Sequence, residues 1–494
     1  MEDLFEPRKN SGFGKLKNWL EIQSGGRQLG NPLMLALLLL ATLPVSYFLS
    51  TLGLKLSVVA FSALISLPLV AFCLFNIPFA IGLMIFTAFA LPFLLKFTSL
   101  PLGTLLDLLI LLSGLGILLR QIKERDWSFA RHPLSYMVLV WLFYNTIQVL
   151  NPEAQSRVAW LYTVRSVAVQ QVVFFIAAYA LKSRLKLSLN ILKFIMALCF
   201  ISALYGLKQQ FFGFSQMETA WMMADELRYQ LYYQWGLFRI PSFCYDPTTF
   251  GILMACFAVF CAALIIGPSS NVQKILLGIM LLCSLWAMAY TGTRTAFGLV
   301  PIGAAFFAGL IMSKRVLIIG GMLALLGTAF VLKSTSSGVI YRIQSAFKPS
   351  SDASMNLRLE NQKKIQPLIQ SKPFGMGLGS CGVWGKRFNP DSPLADFPHD
   401  SSFVRMGVEL GWIGLLLYTL FHYVVLRTGL YYFVRCRDPF IKSLYAGITT
   451  WCFMLAVACY FQEAILQLPM NVLYNVFLGM LVTLKNFDPV FQKT

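Results

Sequence analysis

Long apolar runs separated by short polar segments set the strongest limit on how this chain can fold. Two examples are NPLMLALLLLATLPVSYFLS at 31–50 and LGIMLLCSLWAMAY at 277–290. About 20 apolar residues in a helix cross a bilayer core of about 30 Å. Only 12% of the 494 residues are charged, which is about half the usual share in soluble proteins. The chain is therefore predicted to be an all-α, polytopic helical membrane protein.

About 14 transmembrane helices are predicted from these runs, and 12 is the alternative count. The predicted spans are 31–50, 54–75, 77–95, 102–119, 134–150, 158–181, 187–207, 247–266, 275–290, 296–312, 316–332, 403–426, 443–461 and 467–484. Residues 1–30 are polar and basic, so no cleavable signal peptide is expected before the first span.

Lysine and arginine are distributed unevenly between the loops. The segments RQIKERDWSFARH, KSRLK, SKR and RTGLYYFVRCRD are basic, whereas the alternate loops STLGLK, KFTSLPLG and TGTR carry fewer positive residues. Basic loops favour the cytoplasmic side, so both termini are predicted there. The predicted organisation is a cytoplasmic segment at 1–30, transmembrane helices over 31–332 with an outer loop at about 208–246, a long outer loop at 333–402, transmembrane helices over 403–484 and a cytoplasmic tail at 485–494.

The long outer loop is itself basic, with nine Lys and Arg residues against five Asp and Glu residues. Long loops cross the membrane largely regardless of their charge, so this composition is compatible with the predicted topology. A basic surface at the outer membrane face suits an anionic substrate such as a phosphate group. The alternative is a solvated loop whose charge has no binding role.

Four residues with binding chemistry fall on the predicted outer side, namely Arg239, Arg294, Arg358 and His399. Arginine offers a permanently charged fork of donors that suits phosphate, whereas one histidine beside arginines is a poor metal site. No metal and no cofactor is therefore predicted. Arg165, about seven residues into a span, is a further candidate, because charges inside a membrane are commonly functional. Arg239, Arg294 and Arg165 have an alternative role, in which the side chain reaches the lipid headgroups. The alternative for His399 is an ordinary loop residue without a binding role.

Helix starts add detail to this side of the chain. Threonines crowd round Arg294 in TGTRTAFG, where a helix is predicted to begin, and a helix N-terminus favours an anion. Asp246 and Pro247 also predict a helix start. Asp400 or Ser401 is expected to cap the helix that begins near Phe403, which leaves His399 just outside that helix.

The segment 354–370 predicts an amphipathic helix within the long outer loop. Its apolar stripe consists of Met355, Leu359, Ile365, Leu368 and Ile369. Arg358 projects into the centre of that stripe, where a charge is unfavourable unless something pairs with it. We expect this arginine to point into a membrane-side pocket, and an ion pair with Asp352 or Glu360 is the alternative.

The same side of the chain also contains a glycine-rich segment and two cysteines. GMGLGS at 375–380 lacks the Lys-Ser/Thr of a phosphate-binding loop and is predicted to be a flexible turn. Cys244 and Cys381 both fall on the predicted outer side, and the sequence leaves open whether they form a disulfide.

Four motifs in a fixed order resemble the O-antigen ligase family, which includes related polysaccharide polymerases. They are FRIPSFCYDPTTFG, TGTRTAFG, KPFGMGLGS and PHDSSFVRMGVELGWIG. The resemblance covers roughly residues 235–430. It implies a GT-C-like glycosyltransferase of the bacterial inner membrane with its active site facing the periplasm.

The resemblance also implies partners and residue roles. The donor would be a polyprenyl-diphosphate-linked glycan, and the acceptor lipid A-core or another lipid-linked glycan; no nucleic acid is expected. Arg239 and Arg294 would bind the diphosphate, with Arg358 as a further contact, and His399 would act on or position the acceptor. The position of Arg165 makes it a candidate lining residue of the same cavity.

Two alternative functions remain. A polysaccharide polymerase of the same family would differ from a ligase in its acceptor, which the sequence does not describe. A polytopic transporter would show polar residues or broken helices near the bilayer midplane. The candidate residues are predicted at the outer rim instead, which favours an enzyme.

Overall fold

The computed structural model describes residues 46–47, 50, 72–98, 102–234, 236–332, 344, 347, 353–395, 397–398 and 401–492. Residues 73–494 form one compact unit. Most residues of the predicted spans 31–50 and 54–75 lie outside the described residues.

Helices dominate this unit. They are α1 (Ile77–Leu94), α2 (Gly103–Glu124), α3 (Pro133–Ile147), α4 (Arg157–Val167), α5 (Val172–Leu181), α6 (Leu185–Phe211), α7 (Gln216–Met223), α8 (Glu226–Tyr232), α9 (Pro247–Ile266), α10 (Asn271–Tyr290), α11 (Arg294–Ile311), α12 (Lys314–Leu332), α13 (Ala353–Ser371), α14 (Gly382–Phe388), α15 (Ser402–Arg435), α16 (Pro439–Phe461) and α17 (Met470–Thr483). A short antiparallel hairpin, β1 (Tyr233–Gln234) and β2 (Leu237–Phe238), lies between α8 and α9.

The prediction of an all-α polytopic membrane protein is confirmed. Within the described residues, ten helical segments are long and apolar enough to cross a membrane. They correspond to ten of the predicted spans, and two of them combine neighbouring helical pieces, Pro133–Leu150 and Arg157–Leu181. Helix α12 forms where the span 316–332 is predicted, although it is not one of the ten.

Helix α17 forms where the span 467–484 is predicted, although it is not one of the ten. It has 14 residues, and a 3-10 helix, Leu484–Phe487, continues it. All 14 residues are buried. This stretch is apolar because protein surrounds it, and hydropathy alone does not distinguish a protein environment from a lipid environment.

Small residues allow the central helices to approach closely. Helix α17 packs on α5, where a Cβ added at Gly479 would lie 2.6 Å from the Ala177 Cβ. Helix α9 packs on α10 and α11, and α16 approaches α9 at Gly447, which faces the Phe260 ring. Close packing of this kind stabilises helices in a membrane, where apolar burial alone gives little driving force.

The predicted start of α9 is confirmed. Pro247 is its first residue, and Asp246 Oδ1 accepts hydrogen bonds from the amides of Thr248 (2.8 Å) and Thr249 (2.9 Å). The acidic cap satisfies donors that the first turn would otherwise leave unpaired. It therefore fixes the point at which the chain leaves the β hairpin and enters the helix bundle.

The start of α15 differs from expectation. Ser401 occupies the cap position, but its hydroxyl donates to the Cys459 carbonyl (3.2 Å) at the end of α16 instead of capping α15. Asp400, the other predicted cap, lies outside the described residues. Ser401 therefore links the start of α15 to the end of α16 and does not cap α15.

The segment 375–380 is not a flexible turn, contrary to prediction. Its glycines are buried, and the amides of Met376 and Gly377 each donate at 2.9 Å to carbonyls of α15, those of Val408 and Glu409. Gly375 has a φ of +70°, and a Cβ there would lie 2.4 Å from the Gly411 nitrogen. Glycine serves here for close backbone packing in a left-handed conformation.

Candidate active site

Arg239 is positioned by the β1–β2 hairpin that precedes it. Tyr233 pairs with Phe238 across the two strands, and the Arg239 amide donates to the Tyr232 carbonyl at 2.8 Å. The guanidinium reaches the turn before α11, where Nε donates to the Thr291 carbonyl at 2.7 Å. The residue is only 8% exposed. Arg239 therefore lies beneath the surface rather than on it.

Three further hydrogen bonds hold this guanidinium. Nη2 donates to the hydroxyl oxygens of Thr248 (3.3 Å) and Thr293 (3.2 Å), and Nη1 donates to the Leu231 carbonyl (3.2 Å). These acceptors are neutral oxygens, which orient a guanidinium without cancelling its charge. Arg239 thus connects the β hairpin, the first turn of α9 and the turn before α11.

Arg294 is the first residue of α11, and its side chain is exposed. The turn before it is buried against α9, where the Thr293 hydroxyl donates to the Pro247 carbonyl at 3.2 Å. Gly251 permits this approach, because a Cβ there would lie 2.8 Å from the Thr291 hydroxyl oxygen. An exposed arginine and a helix N-terminus both favour an anion. The predicted helix start at Arg294 is confirmed.

A chain of side-chain contacts joins this turn to the start of α15. Gln462 Nε2 donates to the Thr295 hydroxyl oxygen at 3.5 Å, and the Ser402 hydroxyl donates to the Gln462 carbonyl at 3.1 Å. The N-termini of α9, α11 and α15 and the C-terminus of α16 therefore meet at one end of the bundle. We call this region the Arg294 end.

Arg358 also reaches the Arg294 end. It lies on α13, which forms where the amphipathic helix is predicted, and it is half-buried. Arg358 lines a small cavity together with Pro398, Ser401 and Phe461. Glu360, one of the predicted ion-pair partners, pairs with Lys364 at 2.8 Å. Asp352, the other one, lies outside the described residues.

A larger, mainly apolar groove adjoins this cavity along the same face of α13. It has a volume of about 340 Å³. Its apolar lining includes Leu359 and Ile369 of α13, Phe403 and Leu415 of α15 and Tyr460 of α16. Helix α13 is held against α15 by Ile365, which packs with Val408 in a buried cluster. The groove can accept a hydrocarbon chain beside the small cavity that contains Arg358.

His399 lies outside the described residues, as does Asp400. The nearest described residues on either side of His399 are Pro398 and Ser401. Both line the cavity that contains Arg358. The role of His399 therefore remains a prediction.

Arg165 is held in an ion pair on another pair of helices. Its Nη2 lies 2.5 Å from Asp107 Oδ2, and its Nε donates to the same oxygen at 2.5 Å. Asp107 belongs to α2 and Arg165 to α4. The contacts that connect Arg239, the α11 turn and Ser402 do not pass through this pair. The expectation that Arg165 lines the same cavity stays a prediction.

A buried charged cluster at the Arg294 end is absent from the sequence-based predictions. Arg405 Nη1 lies 2.8 Å from Glu463 Oε2, and Arg405 Nε lies 3.2 Å from Glu409 Oε2. Arg405 is 7% exposed and Glu409 is fully buried. We call these three residues the Arg405 cluster. Arg405 and Glu409 are four residues apart in an apolar helix, and this spacing is a signal that could have identified the Arg405–Glu409 pair.

Cys244 and Cys381, for which the sequence left a disulfide open, are free and buried. Burial raises the pKa of both thiols above the ordinary range. The Cys381 thiol donates to Glu409 Oε1 at 3.5 Å, next to the Arg405 cluster. Both cysteines are therefore protonated core residues at neutral pH.

The Arg294 end combines three chemical elements. The α11 N-terminus and Arg294 favour an anion, Arg358 adds a second positive charge at the small cavity, and the adjoining groove is apolar. A ligand with a phosphate group and a hydrocarbon tail matches this combination.

A known protein family matches the part of the chain that contains α11, α13 and the start of α15. Residues 279–419 match the family model described as O-antigen ligase. The match includes Arg294, Arg358 and His399, whereas Arg239 and Arg165 lie outside it. No curated protein matches the chain. Over residues 279–419 the chain is therefore similar to the family described as O-antigen ligase.

Proposed function

We propose that this protein transfers a glycan from a polyprenyl-diphosphate carrier to an acceptor hydroxyl, as an O-antigen ligase does with lipid A-core. The observation that carries this proposal is the exposed Arg294 at the N-terminus of α11, above the buried Arg239. Gln462, which donates to Thr295, connects the start of α11 to Phe461, which lines the cavity beside α13. The family match supports the same class of reaction.

The diphosphate would bind at the α11 N-terminus. Arg294 would contact it directly, while Arg239 holds the turn and adds positive charge from below. Arg358 would contact the second phosphate or the first sugar from the cavity. The polyprenyl chain would lie in the groove between α13 and α15. Arg165 would contribute to the field at longer range, since Asp107 offsets its charge.

Transfer would begin with attack of the acceptor oxygen on the anomeric carbon. The bond from that carbon to the diphosphate oxygen breaks, and the polyprenyl diphosphate departs with the electron pair. The proton of the acceptor hydroxyl passes to His399, which a neutral imidazole can accept. Attack opposite the leaving group inverts the anomeric centre. Arginines at the leaving group supply the stabilisation that a metal ion gives in other enzymes.

The site is proposed to face the periplasm, with both termini in the cytoplasm. The positive-inside pattern of the loops supports this orientation. An acceptor on lipid A-core would then be available on the outer leaflet of the bacterial inner membrane.

The experiment is a transfer assay in reconstituted vesicles with a polyprenyl-diphosphate oligosaccharide as donor. Lipid A-core is present in one arm and absent in the other, and a chelator is present in both. Product that requires lipid A-core is expected. Longer lipid-linked chains without lipid A-core would instead identify a polymerase. Absence of transfer in both arms, with a donor that a known ligase accepts, would refute the proposal and favour a transporter.

A further inference from the structure

Lys96 is a buried lysine close to the proposed diphosphate site. It follows the end of α1 and is 4% exposed. Its Nζ donates to the Ser242 carbonyl at 3.1 Å and lies 5.7 Å from the ring centroids of Phe93 and Trp221. A charged amine is seldom buried without a purpose in folding or function, because removing it from water is unfavourable.

The carbonyl that Lys96 binds belongs to an unusual turn. Ser242 has a φ of +50°, in the left-handed region that favours glycine. Its amide donates to Gln209 Oε1 at 2.9 Å, and its hydroxyl donates to the Ser202 carbonyl at 2.6 Å. Lys96, just after α1, and two residues of α6 therefore hold Ser242 in place. Contacts of this kind are needed to keep a residue other than glycine in this conformation.

The Ser242 turn determines how two site elements are spaced. Arg239 stands three residues before Ser242, and the Asp246 cap of α9 stands four residues after it. Arg239 donates a hydrogen bond to the turn before α11, while Asp246 accepts hydrogen bonds from the first amides of α9. A change in the Ser242 turn would alter the separation of these two residues.

Acidic groups near Lys96 partly offset its burial. Burial lowers the pKa of Lys96 to about 8, and Cys244, Glu218 and Asp246 act in the opposite direction. Glu218 also accepts from Gln209 Nε2 at 2.6 Å, so it belongs to the network that supports the Ser242 turn. The amine and the turn are thus parts of one hydrogen-bonded assembly.

We infer that Lys96 is a positioning residue, which fixes the Ser242 turn and thereby places Arg239 for binding of the diphosphate. Lys96 acts through the Ser242 carbonyl and does not touch the substrate. The part of this inference that concerns the diphosphate rests on the proposed function. The part that concerns the turn does not, and the two are tested separately.

Lys96→Met replaces the buried amine with an apolar chain of similar length. Methionine keeps the apolar packing of the lysine stem and removes only the amine. Lys208→Met is the matched control, since Lys208 also donates to a backbone carbonyl, that of Gly213, at 3.0 Å and also lies 5.7 Å from an aromatic ring, that of Tyr205. Lys208 makes its contact outside the Ser242 turn.

The first readout is alkylation of Cys244, which lies two residues after Ser242 and is fully buried. Peptide mass spectrometry follows this cysteine separately from the other nine. We expect Lys96→Met to raise its labelling rate at least fivefold and Lys208→Met to leave it unchanged. Removing the nearby positive charge disfavours the thiolate, so faster labelling reports opening of the turn. An unchanged rate in Lys96→Met would overturn the inference even if glycan transfer is normal.

The second readout is KM for the lipid-linked donor. We expect Lys96→Met to raise KM about tenfold at pH 7 with a smaller effect on kcat, as expected for a binding group displaced from its position. Adding Ser242→Gly should recover much of this loss, because glycine adopts the left-handed turn without strain. The double variant should therefore show a lower labelling rate and a lower KM than Lys96→Met alone. If neither value falls, Lys96 does not act through the Ser242 turn. Absence of transfer by the unmodified protein would refute the proposed function, while the labelling result would still decide the inference.

Discussion

Two buried arginines at the same end of the bundle are held in opposite ways. Arg239 donates four hydrogen bonds to neutral carbonyl and hydroxyl oxygens. Arg405 lies between two carboxylates, those of Glu409 and Glu463. Neutral oxygens orient a guanidinium, whereas the two carboxylates also offset the charge of Arg405. The comparison indicates that Arg239 joins the β hairpin to the first turn of α9 and the turn before α11, and that the Arg405 cluster connects α15 to the segment after α16.

The largest effect on stability is expected from Arg405→Ala. It leaves Glu409 and Glu463 facing each other without the cation between them, and an unpaired buried charge of this kind typically removes roughly 3–5 kcal/mol. Thermal unfolding of the purified protein in detergent measures the loss. Arg315→Ala, which changes an exposed arginine in the first turn of α12, is the control and should leave Tm unchanged. An equal Tm for the two variants would mean that the Arg405 cluster does not hold α15 in place.

Arg294→Ala should behave in the reverse manner. Its side chain is exposed, so folding should be preserved, while loss of the charge at the α11 N-terminus should lower kcat/KM for transfer by roughly 100-fold. Initial rates in vesicles measure this effect, again with Arg315→Ala as the control. Near-normal transfer by Arg294→Ala, with normal expression, would show that Arg294 does not bind the diphosphate.

Arg239→Lys should have a smaller effect. Lysine keeps the positive charge but cannot reproduce a planar fork that reaches Thr291 and Thr293 together. We expect about tenfold weaker donor binding, measured as KM. Arg184→Lys is a control outside the Arg294 end. If Arg239→Lys matches the unmodified protein, charge alone is sufficient and the fork geometry is not required.

The smallest effect is expected from pH, acting through Lys96. With a pKa of about 8, its charged fraction falls from about nine tenths at pH 7 to about one tenth at pH 9. An unfolded lysine keeps its proton until about pH 10.4, so between these values rising pH favours the folded state and does not unfold the protein through this group. Donor KM should therefore rise a few-fold above pH 8 without a fall in Tm. In Lys96→Met this rise should disappear, and its persistence there would assign it to another group.

Much of the fold is predictable from the sequence because long apolar runs are a strong local signal. Hydropathy alone does not show what surrounds α17, because an apolar run also forms when protein buries a helix from all sides. Helix α13 and the start of α11 were predictable for the same local reason, since periodicity and capping residues lie close together along the chain.

The contacts that build the candidate site are mostly not local. Lys96 and Ser242 are 146 residues apart, and Arg405 and Glu463 are 58 apart. No periodicity within one segment specifies such pairs, so the sequence indicated the types of side chain but not their partners. The burial of Arg239 was missed for this reason, because its role depends on a turn more than 50 residues further along the chain.

The most direct test of the account is equilibrium binding of two lipids, polyprenyl diphosphate and the corresponding polyprenol, to the reconstituted protein. The unmodified protein should prefer the diphosphate by at least tenfold, Arg294→Ala should lose most of that preference, and Arg315→Ala should retain it. Equal preference in Arg294→Ala and the unmodified protein would contradict the claim that the α11 N-terminus binds the diphosphate.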